Sequence, residues 1–256
     1  MSKLSGKFGL ITGVANKRSI AWAIAKALAD DGARLALTFQ GERFAETVQE
    51  LASELDNPLL LPCDVTSDQE IGALYASIQR EFGALDYLLH GTAFAPREEL
   101  SRPFVDTSRE GFRIALDISA YSLIALARGA APLMAGRGGS IVTLTYLGAE
   151  RVFPNYNVMG VAKAALEASV RYLAADLGQQ NIRVNAVSAG PIRTLASSGI
   201  SGFSNILQVY RDRAPLHRNV ELEEVAQAGR FLLGPESSAI TGEVMMVDAG
   251  FHIMGL

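Results

Sequence analysis

The chain has 256 residues, 49% of them hydrophobic and 20% charged, with a formal net charge of −4. That length supports one large domain with a substantial core. The acidic balance lacks the clustered positive charge that nucleic acid or an anionic membrane surface requires, which excludes a polyanion as main partner but leaves small acidic ligands open.

In chain order, β-rich apolar runs alternate with amphipathic helical patterns. Strands are predicted at 7–12, 34–39, 58–63, 85–90, 140–145, 182–188 and 244–248. Helices are predicted at 19–31, 42–55, 67–82, 108–135, 157–179 and 222–234. Each parallel connection needs a crossover, so this rhythm implies an α/β domain with a doubly wound parallel sheet of seven strands and helices on both faces. The strands are almost uninterrupted in apolar character, as burial on both faces demands. The single cysteine, Cys63 in "PLLLPC", reads as a buried structural thiol rather than a reactive one. Residues 195–206, "LASSGISGFSNI", break the rhythm with small and polar residues. A loop of that length in a compact domain is either a functional lid or a plain surface connection. The N-terminal run "MSKLSGKFGLITG" has no signal-peptide core, and no uninterrupted apolar run reaches the roughly eighteen residues of a membrane helix. A cytoplasmic protein with no membrane and no nucleic acid among its partners is expected.

The stretch "LITGVANKRSIAWAIAKALA", 10–29, is a strand, a loop and a helix that could bind a phosphate. Such a site needs a tight turn, a close backbone approach and a helix N-terminus. Gly13 can supply the turn, Ser19 can cap the helix and offer its hydroxyl and amide, and Ala21 is small enough for close packing. One glycine alone is a weak signal. The end of the second strand, "TFQGERF", is where a dinucleotide's adenosine ribose would lie. Neutral Gln40 can hydrogen-bond a ribose hydroxyl and Glu42 would repel a 2′-phosphate, which favours NADH over NADPH, although Arg43 could fold back. Asp64, after the third strand, is either an acceptor for an adenine amino group or a turn or helix-cap residue.

The chemistry concentrates in "LTYLGAERVFPNYNVMGVAKAALEASVRYLAADL". Tyr156 opens a helical pattern and Lys163 follows two turns later on the same face. A lysine cation near a tyrosine hydroxyl is expected to lower the phenol pKa toward the range of a proton donor. Tyr146 stands at the carboxyl end of the fifth strand, where open α/β sheets bind ligands. Any one of these residues alone would more often be structural; together with "NAVSAGPIRT" they are specific.

With these residues in place, the sequence resembles the short-chain dehydrogenase/reductase superfamily and, within it, the bacterial enoyl-[acyl-carrier-protein] reductases that use NADH. The resemblance runs from about Lys3 to Gly250. It rests on the loop Gly13, Ser19, Ala21, on six residues between Tyr156 and Lys163, on Tyr146 where the superfamily has a serine, and on "SAGPIRTLA" and "TGEVMMVDAGF". Ala93 and Ala249 depart from it, each standing where relatives commonly have glycine. The resemblance implies a single-domain Rossmann-type fold over 1–256, with a mobile substrate-binding segment near 194–210. It implies reduction of a trans-2-enoyl thioester carried by acyl carrier protein, by a protein that is usually homotetrameric. Gly13, Ser19 and Ile20 would hold the pyrophosphate region, Gln40 the adenosine side, and Asp64 with Val65 the adenine. Thr92 would contact the cofactor, and Lys163 would bind the nicotinamide ribose. Ile192, Arg193, Thr194, Leu195 and Ala196 would line the nicotinamide and pyrophosphate. Ala95, Tyr146 and Tyr156 would border the acyl substrate, with Tyr146, Tyr156 and Lys163 as the catalytic group. Arg193, Arg211 and Arg213 flank the mobile segment and could meet an acidic carrier protein. A 3-oxoacyl reductase would show the shorter tyrosine–lysine spacing and a serine at position 146. A nucleotide sensor on the same fold would have lost Tyr156 or Lys163.

Overall fold

A computed structural model describes residues 4–195, 197 and 202–255, together with all their side chains except that of Arg43. Seven parallel strands form one sheet in the order β3-β2-β1-β4-β5-β6-β7. They are β1 (Phe8–Ile11), β2 (Arg34–Phe39), β3 (Leu59–Pro62), β4 (Tyr87–His90), β5 (Gly139–Thr145), β6 (Ile182–Ala189) and β7 (Val244–Val247). The strand order reverses between β1 and β4, which opens a crevice at the carboxyl ends of those two strands.

The apolar strands bury both faces because successive side chains point to opposite sides. Leu10, Leu88, Ile141 and Val184 pair across four strands and sit in the core on one face. Their neighbours Ile11, Leu89 and Val142 form part of the core on the other. All of these side chains are buried, and each contributes about 1.5–3 kcal/mol of transfer free energy.

The helices are α1 (Ile20–Asp30), α2 (Gly41–Ala52), α3 (Asp68–Glu81), α4 (Arg97–Ser101), α5 (Arg109–Leu116), α6 (Ser122–Met134), α7 (Asn157–Leu177), α8 (Phe203–Arg213) and α9 (Leu222–Leu233). The single helix predicted over 108–135 is instead α5 and α6 joined by a π turn, Asp117–Tyr121. Its physical reason is polar: the bulge turns Ser119 and Ser122 inward, where both find partners on the loop and strand before α4. The continuous run Arg109–Met134 is, by length and composition, apolar enough to cross a membrane, unlike the expectation from uninterrupted runs. The average passes over Ser119 and Ser122. Half of the most apolar window is buried inside the protein, where α6 lies against α3 and α7.

Candidate functional site

The turn after β1 is set by contact with the neighbouring strand. Gly13 has φ +83, and a Cβ there would lie 2.3 Å from the Gly91 carbonyl carbon and oxygen, just beyond β4. The chain ends of β1 and β4 can therefore approach only with glycine at 13. Ala21 also fits this crevice: its Cβ lies 3.0 Å from where a Gly91 side chain would begin. Ser19 occupies the N-cap position of α1, but its side chain does not cap the helix. Instead its Oγ accepts from the amides of Ala15 and Asn16, both at 3.0 Å, and so closes the loop on itself. That differs from the capping role expected of it and has a consequence. The first turn of α1 has no acidic residue and no side-chain cap among the described residues, so its amides, including that of Ile20, stay available to an anion. Thr92 Oγ1 donates to Thr12 Oγ1 (3.2 Å), which joins the β4 loop to the strand beside it.

Gln40 and Asp64, at the ends of β2 and β3, meet directly through Gln40 Nε2 and Asp64 Oδ2 at 2.8 Å. Asp64 Oδ1 also accepts from the Thr66 amide (2.9 Å) and hydroxyl (2.7 Å), as a turn residue does. Burial opposes ionisation of Asp64, but the bonds from Thr66 and Gln40 outweigh it and hold the carboxyl below its usual range. Val65 beside it is buried. Cys63 is buried and its thiol is pushed up to about 11, first by burial and then by Glu70 and Asp64, which keeps it protonated.

Tyr146, Tyr156 and Lys163 converge where β5 ends and α7 begins. The rings of Tyr146 and Tyr156 meet edge to face, 5.1 Å between centroids. Gly148 permits this, since a Cβ there would come within 2.5 Å of the Tyr156 ring. Lys163 is buried and Nζ donates to Leu144 O at 2.7 Å. Burial lowers its ammonium to about 8, against a raising effect of Glu167 one turn along α7. The expected depression of the Tyr156 phenol is not found. Burial drives its pKa upward, the Tyr146 and Glu167 charges add to that, and Lys163 is not among the causes. Tyr146 is driven up as well, first by burial and then by Tyr210. Both phenols therefore stand as hydrogen-bond donors at neutral pH. Ala95 packs with Leu100, Leu116, Tyr146 and Phe153 against a small apolar cluster of Tyr156, Met159 and Ala162.

Beyond β6, Ile192 packs against the core and Arg193 is exposed. Thr194 and Ser197 bond reciprocally through Thr194 N to Ser197 Oγ (2.9 Å) and Ser197 N to Thr194 Oγ1 (3.2 Å). Leu195 is exposed. Ala196 lies outside the described residues, as do the side chain of Arg43 and residues 198–201 of the predicted mobile segment. A cleft of about 390 Å³ lies here, lined by Arg18 from the loop before α1 and by Arg193, Thr194, Ser197, Phe203 and Ser204.

Three contributors escape a reading of the sequence. Tyr210 of α8 is buried, stacks on Phe251 (3.7 Å) and donates to Tyr146 Oη at 3.4 Å. Its only sequence signal is an aromatic in a polar stretch. His90, at the end of β4, lies between Ser122 Oγ (2.7 Å from Nε2) and Thr143 Oγ1 (2.8 Å from Nδ1). Because Ser122 already donates to Ile118 O, it accepts from Nε2–H, while the Thr143 hydroxyl lies between Nδ1 and the His90 carbonyl (3.2 Å). Burial, then the Lys163 charge, lowers the imidazole to about 3, so it is neutral. Asn157, next to Tyr156, donates through Nδ2 to Arg102 O at 2.8 Å.

The sequence model of the family described as enoyl-(acyl carrier protein) reductase matches residues 13–252. The enoyl-[acyl-carrier-protein] reductase [NADH] FabI of Bacillus subtilis (strain 168) is 55% identical over 252 residues, covering 98% of this chain and 97% of that protein. The crystal structure of the Bacillus cereus enoyl-acyl carrier protein reductase with NADP+ and indole naphthyridinone superposes with a TM-score of 0.97 at 53% identity, over 100% of both chains. The reductase of Anaplasma phagocytophilum in complex with NAD gives 0.95 at 49% identity, over 99% of this chain and 96% of that one. With the family model matching residues 13–252 and a relative 55% identical over 98% of this chain, the protein belongs to the enoyl-(acyl carrier protein) reductase family.

Proposed function

We propose that the protein is an NADH-dependent enoyl-[acyl-carrier-protein] reductase of fatty acid elongation. It reduces the C–C double bond of a trans-2-enoyl thioester carried by acyl carrier protein to the saturated acyl thioester. The observation that carries this reading is the meeting of two protonated phenols and a buried ammonium at the carboxyl end of β5, beside the β1–β4 crevice.

The residues present fit a dinucleotide. Gly13 lets the ends of β1 and β4 close on one another ahead of α1, and the first-turn amides of α1 have no side-chain cap and stay available to an anion. Gln40 and Asp64 offer hydrogen-bonding atoms on the adenosine side, and Lys163 offers an ammonium to the ribose. When bound, NADH would supply a hydride to the β-carbon of the enoyl group, and a proton taken up at the α-carbon would complete the saturated thioester. The chain's own part is electrostatic: the Tyr156 hydroxyl donates to the thioester oxygen as enolate charge develops there. Tyr146 shapes the pocket and orients the acyl thioester, with Ala95 packed against the same cluster. The described residues of the segment 194–210 border the substrate. The chain works as a cytoplasmic homotetramer, supported by the exposed aromatic side chains Phe112, Tyr121 and Tyr172 on α5, the π turn and α7.

The test is NADH absorbance loss with crotonyl-CoA and, separately, acetoacetyl-CoA. Oxidation with the first alone supports the enoyl reductase, and oxidation with the second alone assigns a carbonyl reductase. Tight NADH binding with no turnover of either assigns a sensor. Tyr156→Phe should lower kcat about 100-fold and leave NADH affinity unchanged, because a single oxyanion donor acts mainly in the transition state. An unchanged kcat removes Tyr156 from the mechanism.

A further inference from the structure

Tyr156 sits between two residues with left-handed backbone. Asn155 has φ 63 and Asn157 has φ 41, two of the six non-glycine residues with positive φ among those described. Asn157 is also the first residue of α7, a position that ordinarily takes φ near −60°. Asparagine enters the left-handed region more readily than other side chains, yet the conformation persists only where its surroundings over-determine it.

The surroundings are the end of α4. Asn157 Nδ2 donates to Arg102 O at 2.8 Å and lies 3.3 Å from Glu99 O and 3.4 Å from Leu100 O. These are carbonyls of the last turn of a helix, which have no partner within the helix itself. Asn157 thus caps α4 from more than fifty residues away. The other side of α4 is fixed by Glu99, whose buried carboxylate accepts from Ser108 Oγ (2.6 Å) and Ser108 N (3.2 Å) at the start of α5. Between these anchors α4 presents Leu100 to the cluster that holds Tyr156 and Ala95. The wall facing Tyr156 and the backbone carrying Tyr156 are therefore joined through one amide.

We propose that Asn157 is a positioning residue for the reduction: its side-chain amide locks the backbone at Tyr156 to the α4 wall and so fixes where the Tyr156 hydroxyl meets the thioester oxygen. This inference rests on the reading of Tyr156 as the oxyanion donor. It predicts that Asn157 acts through that hydroxyl and not through cofactor binding.

Two substitutions separate the backbone from the amide. N157G keeps the left-handed conformation and removes the amide. N157D keeps the size and the left-handed tolerance but turns a carboxylate toward three carbonyls. Both are made in the full chain, alone and with Tyr156→Phe, and assayed with NADH and crotonyl-CoA per NADH-binding site, so that misfolded chains are not counted as slow ones. Each single variant should lose about 10- to 100-fold in kcat, the scale of a catalytic group displaced by about 1 Å, with the Kd for NADH within about twofold of the parent. In the Tyr156→Phe background either substitution should change kcat by less than about threefold, because the hydroxyl it positions is gone. Losses that multiply in the double variant overturn the proposal, as does an unchanged kcat in N157D or N157G. Should one variant fail to bind NADH at all, the other carries the same comparison. An unchanged kcat for Tyr156→Phe alone is a different result, since it overturns the assignment of Tyr156 itself.

Discussion

Burial brings the Lys163 ammonium down to about 8, so this side chain changes charge within a range where the protein can be assayed. If its charged form donates to the cofactor ribose, NADH binding favours the protonated lysine and raises its pKa. The sign follows: affinity is highest below about pH 8 and falls as pH rises through that value in the free protein. NADH titrations followed by fluorescence between pH 6.5 and 9.5 should show Kd rising roughly tenfold per pH unit above the inflection, up to the pKa of the complex. Lys163→Arg, whose guanidinium stays charged, should abolish the inflection. A Kd flat across that range would remove Lys163 from the ribose. The identity of this residue is readable from its spacing to Tyr156, but its proton state is not. Nor is that of Tyr156, which rises rather than falls: the causes are burial first and then the charges of Tyr146 and Glu167, and spacing along one helix carries neither. Ser19 shows the same limit. A serine ahead of a helix reads as a cap, whereas its hydroxyl binds the loop behind it because Ala15 and Asn16 present amides there.

Among the elements, the β1 turn makes the firmest mutational case. Gly13→Ala would put a methyl group 2.3 Å from the Gly91 backbone and force alanine to φ +83. Left-handed strain costs about 1–2 kcal/mol and overpacking about 1–3 kcal/mol. For a domain of this size that lowers Tm by about 5–15 °C, and NADH binding should be lost at the same time. Calorimetry and a cofactor titration check both, and an alanine variant with parental Tm would mean that the β1 and β4 ends do not approach. The seven strands were legible within two residues because continuous apolar runs between turn signals leave few alternatives. Two helices were not. α4 has five residues, too few for a 3.6-residue period to register, and the first turn of α8 falls in the polar stretch 195–206 read as a loop. The π turn at Asp117–Tyr121 was hidden for a different reason. Nothing in a helical pattern marks where a bulge is stabilised by serines that bond to Phe94 and His90 elsewhere in the chain.

At the scale of the whole molecule, the alternation of strands and helices implies the parallel sheet, and the crevice at the strand reversal follows from its order. The contacts that complete the site come from distant segments: Tyr210 reaches Tyr146 across 64 positions, and Asn157 reaches Arg102 across 55. A single sequence holds no pairing signal for such contacts. Charge is distributed unevenly as well. The chain is acidic overall, yet α8 ends in exposed Arg211 and Arg213, and Arg193 and Arg18 line the cleft nearby. An acidic carrier protein delivering its acyl chain to Tyr156 would meet this basic edge, where complementary charge speeds encounter and sets orientation. Replacing Arg211 and Arg213 together by glutamate should raise KM for an enoyl-[acyl-carrier-protein] about tenfold at low ionic strength. At 0.5 M salt the difference should shrink to about twofold, because the Debye length falls to roughly 4 Å. The uncharged N-acetylcysteamine thioester should show the same KM with both proteins, since it needs the pocket but not the edge. Equal changes for the two substrates would place Arg211 and Arg213 in the pocket's architecture, and no change for either would move carrier docking to another face of the protein.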